Sequence, residues 1–351
     1  MNGSSENIGP DDTTSPLGNL QMLGLYLEGH IDEFNGLLHA RAFTDGQSNP
    51  TYLITAKSGQ YVLRRKPVGI LLKSAHAVER EYEVMKALAT TDVPVPGMLH
   101  LCEDDTVIGS AFFVMQFIEG RTFWNPALPD LNAAGRTACY DEMNRTLAAI
   151  HAVDITSVGL AGFGKPGNYF ERQVARWTTQ YRNSETETVP AMEAVIGWLE
   201  VNMLSDDGRV ALVHGDFRID NLMFSKTGFN VLATLDWELS TLGHPFADLA
   251  YQCAIWRMQP DAALRGLKGI DRGSAGIPED QAYIDAYCQR RGIGGIDNWS
   301  FYVTFGLFRI AAIVQGVKKR ALDGNAASPY AKAIGGLVEP LAIEAASVAG
   351  I

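Results

Sequence analysis

The chain has 351 residues, 46% hydrophobic and 20% charged, with a formal net charge of −11 at pH 7. That length suffices for one large domain or for two lobes, each with its own core. So acidic a balance argues against nucleic acid as a partner, because phosphate backbones call for a basic face, and no run of eighteen apolar residues announces a membrane span. Cys102, Cys139, Cys253 and Cys288 lie far apart with no CxxC pair, and the seven histidines show no HExxH spacing. They read as buried thiols of a reducing compartment, with the cytoplasm as the expected location.

Residues 1–18 are polar, without a basic start or an apolar stretch, and read as a flexible leader. Residues 19–34 are partly helical in pattern. Short β-type runs follow at 42–44, 51–55 and 61–65, set apart by turn signals at Asp45-Gly46, Ser48-Asn49-Pro50 and Ser58-Gly59. A helix is predicted at 74–88, opened by Ser74, and two further strands at 98–102 and 112–117. From Leu131 helical periodicity takes over, at about 131–152, 169–183 and 190–204. One β segment interrupts it (210–214, 222–224 and 229–235), and helices resume at 246–257, 278–291, 298–322 and 329–349. The expected class is α+β, with a small β-rich lobe at 19–117 followed by a mainly helical lobe at 118–351.

The chemistry concentrates in Leu212-Val-His214-Gly215-Asp216-Phe-Arg218-Ile-Asp-Asn221, followed by Leu235-Asp236-Trp237-Glu238. A strand ends at an aspartate, an asparagine comes five residues later, and a hairpin then delivers a second aspartate. Phosphoryl transfer needs these side-chain types: one carboxylate to orient a hydroxyl proton, and an amide and a second carboxylate to hold Mg²⁺ on nucleotide phosphates. In the first lobe, strand alternation puts Val62 and Arg64 on one face and Tyr61 and Leu63 on the other. On the helix at 74–88, Val78, Tyr82, Met85 and Leu88 form an apolar stripe with Glu81 inside it. A carboxylate on a buried stripe requires a partner, and Arg64 is the one expected. Glu79, Arg80 and Glu83 are expected to be solvated.

HGDFRIDN and LDWE resemble the catalytic loop and metal-binding segment of the aminoglycoside phosphotransferases, which share a two-lobed fold with protein kinases. The resemblance implies an ATP- and Mg²⁺-dependent small-molecule kinase. It makes Asp216 the catalytic aspartate, Asn221 and Asp236 the metal ligands, and Arg218 a cation near the transferred phosphate. It implies that the Arg64–Glu81 pair positions the nucleotide, with arginine standing where the family commonly has lysine. Asp45–Tyr52 resembles the nucleotide-covering loop, which brings in Gly46, Ser48 and Asn49, and the adenine would bond near Gln116, Phe117 and Ile118. Gly243–Asp248 matches a further family segment in which Asp248 braces the catalytic loop. His151 and His244 show no evident partner. A protein kinase is disfavoured, because no APE-like segment separates Asp236 from Asp248. A non-catalytic nucleotide-binding protein is the alternative, with Arg64 in its favour.

Residues 251–330 carry ten Lys+Arg against seven Asp+Glu. That balance weighs against a polycationic acceptor and toward a neutral or anionic one. Arg309 sits on a helix apolar almost all round and needs a carboxylate or an anionic ligand; with Glu238 it is a candidate acceptor contact. The segments NYFERQVARW and FRIAAIVQGVKKR are similar to kinase-like domains associated with acyl-CoA dehydrogenases. This implies a hydroxyl acceptor on an acyl chain, such as a hydroxyacyl-CoA, and a partner in acyl-CoA dehydrogenase metabolism.

Overall fold

The computed structural model describes residues 17–43, 49–67, 77–324 and 331–351. The first elements are α1 (Leu20–Glu28), β1 (Leu37–Ala42), β2 (Thr51–Ala56), β3 (Gly59–Arg65), α2 (Val78–Leu88), β4 (Met98–Cys102) and β5 (Phe112–Gln116). Then come α3 (Ala133–Ala152), α4 (Tyr169–Ser184), α5 (Pro190–Val201), β6 (Ala211–Val213), β7 (Leu222–Phe224), β8 (Val231–Thr234) and β9 (Thr241–Gly243). The chain finishes with α6 (Phe246–Trp256), α7 (Arg272–Ala275), α8 (Asp280–Arg291), α9 (Trp299–Leu322), α10 (Ala331–Gly335) and α11 (Val338–Ala349). It divides into two compact units. The first runs to Thr122 and adds Val158–Leu160 and Asn221–Leu239; the second holds Phe123–Ser157, Ala161–Asp220 and Ser240–Ile351.

In the first unit, five antiparallel strands pair in the order β1-β2-β3-β5-β4. Leu63 of β3 joins Leu23 and Leu27 of α1, Ile54 and Phe112 in one buried cluster. Val62 and Arg64 point to the other side, as strand alternation requires. α2 buries Val78, Glu81, Val84, Met85 and Leu88, a stripe at helical spacing. Its first residue is Val78, with Ala77 at the N-cap and no side-chain cap bond, so the helix starts later than Ser74, which lies outside the described residues. Acidic Glu79 and Glu81 in the first turn suit the positive end of the helix dipole. The hairpin β7–β8 belongs to this unit, with Leu222 opposite Thr234. Arg121 bridges to Phe224 beside it. Gly120 permits that approach: a Cβ there would meet Met223 Cγ at 2.5 Å and the Phe224 carbonyl oxygen at 2.6 Å.

The second unit is helical apart from the β6–β9 ribbon. Its longest helix, α9, contains an eighteen-residue window of mean hydropathy 1.4, long and apolar enough to cross a membrane, yet 83% of that window is buried inside the protein. An asparagine caps α3: Asn132 Oδ1 accepts from the N–H of Gly135 at 2.8 Å. The single helix expected at 329–349 is two, α10 and α11, broken at Gly335-Gly336. Gly335 lies where a Cβ would meet Lys318 Cβ at 2.9 Å, so the close approach to α9 selects glycine and ends the helix.

Candidate active site

In the first unit the chemistry gathers around Arg64. Its Nε donates to Glu81 Oε2 at 2.9 Å, its Nη2 to Asp236 Oδ1 at 2.7 Å, and its Nη1 to Thr51 Oγ1 at 3.4 Å. Glu238 Oε2 stands 4.0 Å from the same Nη2. The pairing expected between Arg64 and Glu81 is therefore present, with Asp236 and Glu238 added to it. Glu81 is 2% exposed, and burial raises its pKa, helped by Asp236 and Glu238 and only partly offset by Arg64. Burial alone would lower the Arg64 pKa, but the three carboxylates raise it above its ordinary value, so the guanidinium stays charged.

Asp236 has φ +64°, a left-handed conformation that costs a non-glycine residue about 1–2 kcal/mol and is most readily adopted by Asn and Asp. Such strain collects at functional positions. Asn221 and Asp236 lie at the same end of the β7–β8 hairpin: Leu222 pairs with Thr234, and the Leu235 N–H donates to the Asn221 carbonyl at 2.8 Å. They offer an amide oxygen and a carboxylate, hard donors that fit Mg²⁺, which keeps most of its coordination shell as water or phosphate. Among the described residues no cluster of three or more His, Cys, Asp or Glu is arranged to hold a metal by itself.

The remaining nucleotide candidates are spread along this unit. Gly46 and Ser48 lie outside the described residues. Asn49 is buried, and its carbonyl accepts from Thr51 Oγ1 at 3.0 Å. Gln116 ends β5, its N–H donating to the Gly97 carbonyl at 2.8 Å, and Phe117 and Ile118 follow half-buried, outside regular structure. One neighbour differs from expectation. Glu79 is half-buried and ion-paired with Lys66 rather than solvated. Arg65, on the face opposite Arg64, is buried with its Nε on Ser110 Oγ at 3.0 Å.

In the second unit the loop after β6 carries Asp216. Asp216 Oδ1 accepts from the Tyr251 hydroxyl at 2.7 Å and lies 3.3 Å from Arg218 Nε. Arg218 Nη2 also reaches Asp220 Oδ2 at 2.9 Å. Burial pushes the Asp216 carboxyl up, but the Arg218 charge and the Tyr251 hydroxyl outweigh it, and the group lies below the usual carboxylate range. The loop is braced from α6: Asp248 Oδ2 accepts from the His214 N–H at 2.6 Å, and Oδ1 from the Gly215 N–H at 2.9 Å. This is the role expected of Asp248.

His151 has the partners that sequence reasoning did not find, with Nδ1 2.7 Å from the Tyr287 hydroxyl and Nε2 3.4 Å from Asp248 Oδ2. A carboxylate can only accept, so Nε2 carries the proton and Nδ1 accepts from Tyr287. His244 likewise lies 3.3 Å from Asp207 and stacks on Tyr302. Arg309, expected to need a carboxylate or an anion, instead donates through Nη2 to the Gly215 carbonyl at 2.6 Å. Its guanidinium lies over the rings of Tyr251 at 5.2 Å and Trp177 at 5.5 Å. Tyr251 was missed because a tyrosine on an apolar helix reads as core. The available signal was its place one turn after Asp248, on the same helix face.

The model of the phosphotransferase enzyme family matches residues 39–287. The chain belongs to that family. It is 49% identical over 319 residues to mouse acyl-CoA dehydrogenase family member 10, a match covering 90% of the chain and 30% of the relative. It is 43% identical to chicken acyl-CoA dehydrogenase family member 11, over 90% of the chain and 41% of the relative. The chain thus spans less than half the length of these relatives. A Ralstonia eutropha crystal structure assigned as an aminoglycoside phosphotransferase is 46% identical, with a TM-score of 0.86 over 95% of this chain and 98% of that one. A mutant of aminoglycoside phosphotransferase APH(4)-Ia, in a ternary complex with ADP and hygromycin B, shares the fold at 14% identity and a TM-score of 0.60, over 93% of this chain and 97% of that one. The two-lobed, protein-kinase-like α+β fold expected from the sequence is the fold found.

Proposed function

We propose that this phosphotransferase moves the γ-phosphoryl group of ATP onto a hydroxyl of a small molecule, with a hydroxyacyl-CoA or related acyl metabolite as acceptor. The observation that carries this reading is Asp216: a carboxylate at the end of a pinned loop, held ionised by Arg218 and Tyr251. Such a group orients an acceptor hydroxyl and takes its proton as the hydroxyl oxygen bonds to the γ-phosphorus and the bond to the β,γ-bridging oxygen breaks. Arg218 offsets negative charge on the moving phosphoryl group. Asn221 and Asp236 are the residues that would hold Mg²⁺, which when bound neutralises phosphate charge. Arg64 is the cation for the nucleotide phosphates, and Glu81 keeps its fork oriented. Nucleotide use is supported by the shared fold with a protein crystallised with ADP. The acyl acceptor rests on the similarity to proteins named for acyl-CoA dehydrogenases.

A second reading, a non-catalytic nucleotide-binding protein, draws on one contact: Arg64 Nη2 occupies the Asp236 carboxylate at 2.7 Å. A Mg²⁺-dependent ADP-release assay across hydroxyacyl-CoAs, free hydroxy acids, sugars, choline and aminoglycosides separates the two, with Asp216→Asn as control. Release with one acceptor class, lost in the control, establishes the kinase. ATP binding with silence across all acceptors favours the second reading.

A further inference from the structure

We infer that Tyr251 is a positioning residue that sets the orientation of the Asp216 carboxylate, and that Arg309 holds Tyr251 and the Gly215 peptide in the arrangement this requires. The inference rests on the proposed role of Asp216 and adds the parts that aim it. An aspartate carboxyl rotates in a broad torsional well, so a pinned backbone does not by itself decide which oxygen faces an acceptor. The backbone here is pinned on both sides of Gly215. Asp248 of α6 takes its N–H, and Arg309 of α9 donates to its carbonyl at 2.6 Å. Gly215 has φ +84°, a left-handed conformation that glycine adopts without strain. The side chain is then fixed by the hydroxyl of Tyr251, one helical turn after Asp248, donating to Oδ1 at 2.7 Å.

Arg309 connects the two tethers. Its guanidinium lies 5.2 Å from the centre of the Tyr251 ring, so one buried side chain supports the phenol and anchors the peptide. Its Nε is buried with no hydrogen-bond partner among the described residues. Core stability alone would favour an apolar residue there; orientation of the loop explains an arginine. The charged and titratable groups that act on Asp216 include Arg218, Tyr251, His214 and Arg309, and of these Tyr251 acts as a neutral donor.

Tyr251→Phe keeps the ring under Arg309 and removes only the hydroxyl. We expect kcat to fall by about 10- to 100-fold with KM for ATP unchanged, and the acid limb of the kcat profile to move to higher pH. The Asp216 carboxyl ¹³C resonance, assigned by its loss in Asp216→Asn, should titrate at higher pH in Tyr251→Phe than in wild type. Arg309→Lys, which keeps the charge but shortens the reach to Gly215, should lower kcat in the same direction. It provides the second reading of the same coupling if Tyr251→Phe is poorly folded. A purely structural Tyr251 would leave both the acid limb and the Asp216 titration in place, and that result would overturn the inference. If wild type shows no turnover that Asp216→Asn abolishes, the kinase reading fails, while the titration still decides whether Tyr251 acts on Asp216.

Discussion

Replacing Asp248 by Asn tests how the loop that carries Asp216 is held. The carboxylate accepts backbone N–H groups on both oxygens, from His214 at 2.6 Å and Gly215 at 2.9 Å. An amide of the same shape keeps one acceptor and presents an NH₂ donor to the other N–H. Hydrogen bonds to a charged group contribute about 1.5–3 kcal/mol each and neutral ones about 0.5–1.5. Losing one bond and weakening the other therefore removes about 2.5–4.5 kcal/mol. Relief from burying a charge returns part of this, leaving an expected loss of about 2–4 kcal/mol. Urea unfolding followed by tryptophan fluorescence, with six tryptophans in the chain, reads it directly. Because a displacement of about 1 Å at a reacting group lowers rates by about 100-fold, kcat should fall as well. A loss below about 0.5 kcal/mol, within the range of an ordinary surface substitution, together with an unchanged kcat would refute the bracing argument.

Acidification should destabilise the second unit. Burial holds the His151 pKa below its ordinary value of 6.5, and Asp248 is also held low, since its partners outweigh the effect of burial. A depressed group contributes stability above its unfolded pKa and loses it as pH falls, so the decline should begin below about 6.5 and deepen below about 4. Glu81, raised by burial and by Asp236 and Glu238, has the opposite sign and loses its stabilisation as pH rises. Urea midpoints between pH 8 and 4 should therefore fall more steeply in Glu81→Gln than in wild type, and equal slopes would contradict this. Arg64→Lys substitutes a point charge for a fork that spans Glu81 and Asp236, and should lose one charge-assisted bond, about 1.5–3 kcal/mol. An unfolding free energy equal to wild type would show that the second contact contributes nothing.

Much of the first unit was legible because its periods are local. The alternation of β3 and the 3.6-residue stripe of α2 together aim Arg64 and Glu81 toward each other, and the two meet at 2.9 Å. The same reasoning left Glu79 to solvent, because nothing in the helix pattern reveals that Lys66 of the preceding segment is within reach. The break between α10 and α11 was signalled by Gly335-Gly336 but lost in a strong apolar repeat. In α9 the apolar residues are core-facing on nearly every side, which composition alone does not separate from a spanning helix.

Residue types and their spacing were legible along the chain: a carboxylate, an amide and a second carboxylate, in a run of strands followed by helices. The partners come from long-range packing. Arg64 meets Asp236 across 172 positions, Asp216 meets Tyr251 across 35, and Arg309 reaches the Gly215 carbonyl across 94. The reason is physical. Helix and strand periods are set by backbone geometry over a few residues and are written locally. A buried charge takes whatever partner packing brings within about 3 Å, and that is a property of the whole folded chain.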